Sequence, residues 1–292
     1  RDLGRVPLAG DDVVIPDLGA PGANLSITNA VATSLQSLTI WENVTTGSGV
    51  SVRLTGDLAI NGGATFLVSN AYLDFEASSP ASVQNVVTTG GGTIQLALGG
   101  DLTQYGTAHT VSMAAGITVT TSSGSTGFIG RASASRPTGA WNNAGTWSVA
   151  TGGTLNLDGN WSSTGAITVS SGTLNLGGSF TGSSVANFTR SGGTVNLTGA
   201  VTGDLTLDAT TGSWDLRGGT IAASTVTTSG GAALRATETG GTLNGVVLAG
   251  TLDMATNAGN LNVTVRNGLT LSNGTINMGT TVGTSASGFL RF

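Results

Sequence analysis

Along much of the chain, apolar and polar residues alternate in runs of four or five that are broken by glycine. The run Gly153-Thr154-Leu155-Asn156-Leu157 recurs at 172–176 and, with Val in place of the first Leu, at 193–197; the starts are 19 and 21 residues apart. Looser copies stand at 92–96, 250–254 and 274–278. Apolar residues two apart fall on one face of a strand, so each run predicts a short strand with one buried side. A second element is a Gly, a small residue and then a large apolar one. It reads Gly56-Asp57-Leu58, Gly100-Asp101-Leu102, Gly159-Asn160-Trp161, Gly178-Ser179-Phe180 and Gly199-Ala200-Val201. Asp57, Asp101, Asn160 and Ser179 are expected at turns, where a short polar side chain bonds its neighbouring backbone. The apolar members, with Trp141 and Ile221, form the series Trp141, Trp161, Phe180, Val201 and Ile221, spaced 20, 19, 21 and 20.

A fixed period of this kind marks a repeat architecture. It predicts an all-β solenoid of about 20 residues per coil, with two or three short strands in each coil and Gly, Asn and Ser-Gly at the corners. Successive coils would lie about 4.8 Å apart, which turns the Trp141–Ile221 series into an internal ladder. The expectation is one continuous solenoid over 1–292 of about 14 coils, less regular over 1–60 and most regular over 138–292. The stretch Ser122–Pro137 is poor in apolar residues and predicts a loop leaving the coil. No segment has a 3.6-residue apolar period, so almost no helix is expected.

Composition narrows the function more than it names it. Charged residues make up only 9% of the chain, against about a quarter in ordinary globular domains. There is no Lys, and 10 Arg face 15 Asp plus Glu for a net charge of −5, a balance unsuited to neutralising a phosphate backbone. A nucleic-acid partner is therefore not expected. No apolar run reaches the roughly 20 residues of a membrane-spanning helix. Cys is absent, which excludes disulfides and thiolate metal sites. The chain opens on Arg1 and closes on Gly288-Phe289-Leu290-Arg291-Phe292, which reads as a strand just begun, so a section of a longer polypeptide is expected.

The run from Gly240-Gly241-Thr242-Leu243-Asn244 through Gly250-Thr251-Leu252-Asp253-Met254, Val263-Thr264-Val265 and Leu269-Thr270-Leu271 to Gly274-Thr275-Ile276-Asn277-Met278-Gly279 carries a resemblance. It is similar to the degenerate repeat of large bacterial surface proteins, including autotransporter-type and filamentous-haemagglutinin-like adhesins. The opening Gly4-Arg5-Val6-Pro7 and Gly10-Asp11-Asp12-Val13-Val14-Ile15 resembles the start of such modules. The resemblance implies a right-handed, single-stranded β-helix, secretion to the cell exterior, and a structural or adhesive role.

Candidate chemistry is sparse, and no catalytic residue, metal site or cofactor is assigned. Glycoside hydrolysis needs two carboxylates across one bond, and only three Glu exist. Asp204 with Asp208 and Asp215, and Asp11 with Asp12, are the remaining pairs. His109 is the only histidine, so no multi-histidine metal site can form. Among the tryptophans, Trp41 and Trp147 are the candidates for a glycan platform, while the others are expected in the core. Thr118–Thr121 suggests an ice-binding solenoid, but no flat Thr-x-Thr column repeats coil after coil. The expectation is thus an extracellular structural repeat protein whose open solenoid ends self-associate into a fibre or matrix. An adhesin or carbohydrate-binding module is the alternative, and a polysaccharide-degrading β-helix the second.

Overall fold

The computed structural model describes residues 7–19, 24–28, 34–150, 152–278 and 286–292. Gly4–Val6 of the opening motif and Gly279 of the last repeat lie outside the described residues. The chain is all-β: its short strands pair in parallel, and among the described residues the sole helical element is the 3₁₀ turn Gly182–Val185. It divides into two compact units, Arg1–Thr168 and Val169–Phe292.

In the first unit, consecutive strands fall in three different sheets, and most strands pair with the one three places later. The first sheet contains Ser37–Ile40, Leu58–Ile60, Val83–Val87, Thr110–Met113, Ala140–Asn143 and Asn160–Ser163. The second contains Asn43–Thr46, Thr65–Ser69, Gly92–Ala97, Ile117–Thr121 and Thr146–Val149. The third contains Ser51–Leu54, Tyr72–Ala77, Gly100–Gly106, Thr126–Ile129 and Thr154–Leu157. This pairing is consistent with a β-solenoid. Parallel strands bury both the closely stacked backbone and their inward side chains, which suits the Val, Leu and Ile runs found here.

The core consists of in-register columns. Val44, Phe66, Ile94, Val119 and Trp147 stand opposite one another on successive strands of the second sheet, all fully buried. Val52, Leu73, Leu102, Ile129 and Leu157 form the matching column of the third. In the first sheet Trp141 stands opposite Trp161. In the second unit Phe180, Val201, Ile221, Leu243 and Val265 make five successive rungs. Full burial of each such side chain contributes about 1.5–3 kcal/mol before entropy is counted.

The coil length is not uniform. Paired residues are 20 apart from Trp141 to Trp161, but 30 apart from Thr110 to Ala140 and 29 apart from Tyr72 to Asp101. The extra residues sit at corners, so the strands keep their register. This corrects two sequence expectations. The looser copy at 92–96 lies in the second sheet, whereas Gly153–Leu157 supplies a strand of the third. Likewise Gly56-Asp57-Leu58 leads into the first sheet but Gly100-Asp101-Leu102 begins a strand of the third. The expected loop Ser122–Pro137 is also shorter than predicted, because Thr126–Ile129 is a core strand whose Ile129 is buried. The irregularity expected over 1–60 ends by Ser37, from which strands follow in the regular order.

In the second unit, Thr173–Leu176, Thr194–Leu197, Trp214–Leu216, Leu234–Ala236, Thr251–Asp253 and Thr275–Asn277 share one sheet. Thr242–Ala249 is long enough to pair with both Thr220–Ala222 and Thr225–Thr228. Gly245, at φ +62°, takes the bend between the two halves.

Candidate functional site

The turn positions read from sequence separate on inspection. Asp57 is exposed just before Leu58–Ile60, and its Oδ1 accepts the Asn85 backbone N–H at 2.7 Å, tying one coil to the next. Asn160 and Ser179 are first residues of strands rather than turn residues; the turns belong to Gly159 and Gly178, at φ +79° and +58°. Asp101 departs furthest, being a strand residue 1% exposed.

Trp147 is not a glycan platform. It continues the inward column of the second sheet, is 0% exposed, packs edge-on against Trp161 with centroids 5.7 Å apart, and donates from Nε1 to the Met113 sulfur. Trp41, 38% exposed, keeps an accessible ring. The carboxylates proposed as catalytic pairs each have separate structural partners. Asp204 accepts the Thr225 N–H, Asp208 accepts those of Thr210 and Thr211, and Asp215 pairs with Arg235 at 2.8 Å. The backbone N–H groups of Thr211 and Thr210 hold the Asp208 carboxyl below its ordinary pKa. Asp11 accepts the Leu8 N–H and Asp12 the Ser37 hydroxyl. His109 is buried; its Nδ1–H donates to the Thr107 carbonyl at 2.8 Å, and burial lowers its pKa.

A single Thr column, Thr65, Thr93, Thr118 and Thr146, is in register on the outer face of the second sheet. The parallel column is mixed, with Leu67, Gln95, Thr120 and Ser148. Hydroxyls spaced two apart therefore do not repeat along the face.

Charge collects instead on the outer face of the third sheet. Alternation turns Ser51 and Arg53, Tyr72 and Asp74, Asp101, Thr103 and Tyr105, and then Phe128 outward on successive strands. Arg136, on the loop leaving Thr126–Ile129, returns across this face. Its Nε donates to Asp74 Oδ1 at 2.8 Å and its Nη2 to Oδ2 at 3.0 Å, while its plane lies 3.8 Å from the Tyr72 ring centre. Thr103 donates its hydroxyl to the same carboxylate, and Arg53 stacks 3.4 Å from the Tyr105 ring centre. Arg131 donates to Asp101 at 2.8 Å and covers the Phe128 ring at 3.9 Å.

Asp74 is 0% exposed although it points away from the core, because the loop and the guanidinium of Arg136 cover it. The loop is fastened further by Gly106 N–H donating to the Ser135 carbonyl and by a Ser133–Arg136 bridge. Burial pushes the Asp101 carboxyl up to about 7 against the opposing attraction of Arg131, and its Oδ1 has no partner. Burial also raises Asp158. Every aromatic face here is covered by a guanidinium and each carboxylate oxygen of Asp74 is engaged. The cluster is a clasp across the sheet.

Among the described residues, no group of three or more His, Asp or Glu side chains could hold a metal ion. No helix among them is long and apolar enough to cross a membrane.

The uncovered feature of the molecule lies at its terminal strands. Val13 and Ile15, on the first strand, are half-exposed, whereas their partners Leu38 and Ile40 are 1% and 0% exposed. Leu290 is half-exposed, while its partner Val263 is fully buried. Most of the exposed large apolar side chains gather near the same two ends, with Leu8, Val14 and Leu18 at one and Leu271, Met278, Phe289 and Phe292 at the other. No protein-family model, curated protein or solved structure matches this chain.

Proposed function

We propose that this chain is a right-handed single-stranded β-helix and an extracellular structural repeat protein, which associates end to end with further copies of itself. The handedness follows from the general rule that parallel strands joined by crossovers are right-handed in about 98% of cases. The resemblance to bacterial surface repeats supports a location outside the cell. The observation that supports stacking is the half-exposure of Val13, Ile15 and Leu290 beside fully buried neighbours, which a further coil, from another copy or from the same polypeptide, would cover. An unpaired strand edge with apolar inward residues is a template for another strand, and stacking a further coil on it would complete the columns.

Sedimentation velocity and negative-stain electron microscopy over a concentration series test this. The wild-type chain is expected to form linear assemblies that lengthen with concentration. Val13→Asp and Leu290→Asp each place a charge on a terminal rung and should stop growth while leaving the circular dichroism unchanged. Dispersed wild-type monomers at every concentration would overturn the reading.

A further inference from the structure

The corner that follows the strand Trp214–Leu216 and leads to Thr220–Ala222 differs in length from its counterpart in the next coil. Leu216 pairs with Ala236, and Thr220 with Thr242. Between these rungs lie Arg217-Gly218-Gly219 in one coil and Thr237-Glu238-Thr239-Gly240-Gly241 in the next, two residues more. The surplus closes as a turn, with Gly240 N–H donating to the Thr237 carbonyl at 3.0 Å. Glu238 and Thr239 are thereby lifted into solvent as a ridge with a cleft on each side. One cleft, of about 270 Å³, is bounded by Asn196, Asp215, Arg217 and Asn257. The other, of about 390 Å³, is bounded by Asn262, Thr264 and Arg291. Glu238 and Thr239 line both.

The walls are fixed before any ligand arrives. Asn196 donates to Asn175 at 2.7 Å along an amide ladder. Asp215 Oδ1 takes Arg235 at 2.8 Å and Asn257 at 3.3 Å, and Asn257 also donates to the Ala236 carbonyl. Asp253 Oδ1 accepts the N–H groups of Ala255 and Thr256, which sets the neighbouring turn. Asp215 Oδ2, the Arg217 guanidinium and the Thr239 hydroxyl make no hydrogen bond to the described residues. Negative and positive side chains balance across the two clefts, and no aromatic or large aliphatic side chain lines either. Such a surface offers paired donors and acceptors without net charge, which matches the closely spaced hydroxyls of a polyhydroxylated, uncharged chain.

We infer that the double cleft astride Glu238 and Thr239 binds a neutral polysaccharide, with one sugar unit on either side of the ridge. Asp215 and Glu238 accept hydroxyl protons, and Arg217, Asn257 and Arg291 donate to hydroxyl oxygens. The cleft bounded by Arg291 borders the terminal strand Ala286–Arg291, whereas the cleft bounded by Asp215 and Arg217 does not. The full chain is run by affinity electrophoresis through gels containing dextran, mannan, xylan or hydroxyethylcellulose, with polygalacturonate as the acidic comparison. Retardation by at least one neutral polymer is expected. Arg217→Ala combined with Glu238→Gln should weaken it about tenfold with unchanged circular dichroism. Thr239→Val, which leaves the charges in place, should weaken it in the same direction. Val13→Asp, which tests fibre growth, should bind as the wild type does. No retardation by any neutral polymer, retardation by polygalacturonate alone, or retardation unchanged in both cleft variants would overturn the inference.

Discussion

Replacing Arg136 by Ala removes the covering member of the clasp and strands a carboxylate. Asp74 is 0% exposed and Arg136 only 14%, so the pair is screened far less than a surface ion pair. Deleting one partner of a buried pair costs about 3–5 kcal/mol, because the remaining charge keeps its desolvation penalty without compensation. Thr103 still donates to Asp74 and Arg53 remains 4.0 Å away, which places the expected loss near the lower figure, about 3 kcal/mol. The lost stacking over Tyr72 adds about 0.5–1 kcal/mol. The joint variant Asp74→Leu with Arg136→Met removes both charges and should recover most of the loss. Urea unfolding followed by circular dichroism gives the global effect. Hydrogen exchange at the Gly106 N–H, which donates to the Ser135 carbonyl, gives the local one. If Arg136→Ala lies within about 1 kcal/mol of wild type, or the joint variant is worse than the single one, the argument from desolvation fails.

Three other outcomes follow from the same structure. Trp161→Ala, at a site 4% exposed and stacked on Trp147, should cost about 3–5 kcal/mol by thermal unfolding, whereas Trp41→Ala should cost under about 1 kcal/mol; similar losses would contradict the placement of Trp41 at the surface. Asp101 is raised from 3.8 to about 7, so the folded form binds its proton more tightly than the unfolded one; the stability from this group is complete below pH 3.8 and declines as pH rises toward 7. Asp101→Asn should flatten stability over that window and exceed wild type at pH 8, and an unchanged pH profile would count against the burial argument. Gly145→Ala would bring a methyl to 2.1 Å from the Ile117 carbonyl, with backbone rather than a flexible side chain in the way, and should lose more than about 2 kcal/mol in denaturant titration.

The rungs were readable because Trp141 with Trp161 in the first unit, and Phe180, Val201 and Ile221 in the second, fall in coils of nearly constant length, where a period survives in sequence. From Leu58 to Ala140 the coils run to 25–30 residues, and corner insertions erase the period while the strands stay in register. That is why Gly100-Asp101-Leu102 was aligned with the wrong strands: every strand of such a coil has the same short alternation, and only pairing says which sheet it joins. Trp147 was legible and misread, since Thr146-Trp147-Ser148-Val149 already puts it on the same side as Val149. The clasp was hidden because its members lie far apart, with Asp74 and Arg136 62 positions from each other. The available signal was a concentration of Arg, Asp and Tyr at alternate positions in a chain with only 9% charged residues. The double cleft gave less warning still, because two extra residues in a Gly-Thr corner look like ordinary turn sequence.

Corners that lengthen without disturbing the rungs make the wall and the surface of this molecule separable. The ten positions from Gly130 to Gly139 form such an excursion: they lengthen the step from Thr110 to Ala140 to 30 residues, yet those two residues still stand opposite one another. A foreign peptide spliced between Ser133 and Arg136 would therefore be displayed from a rigid base, provided the two arginine anchors on either side were kept. Changes inside a strand have no such freedom, since a one-residue shift would turn every side chain of that rung to the opposite face.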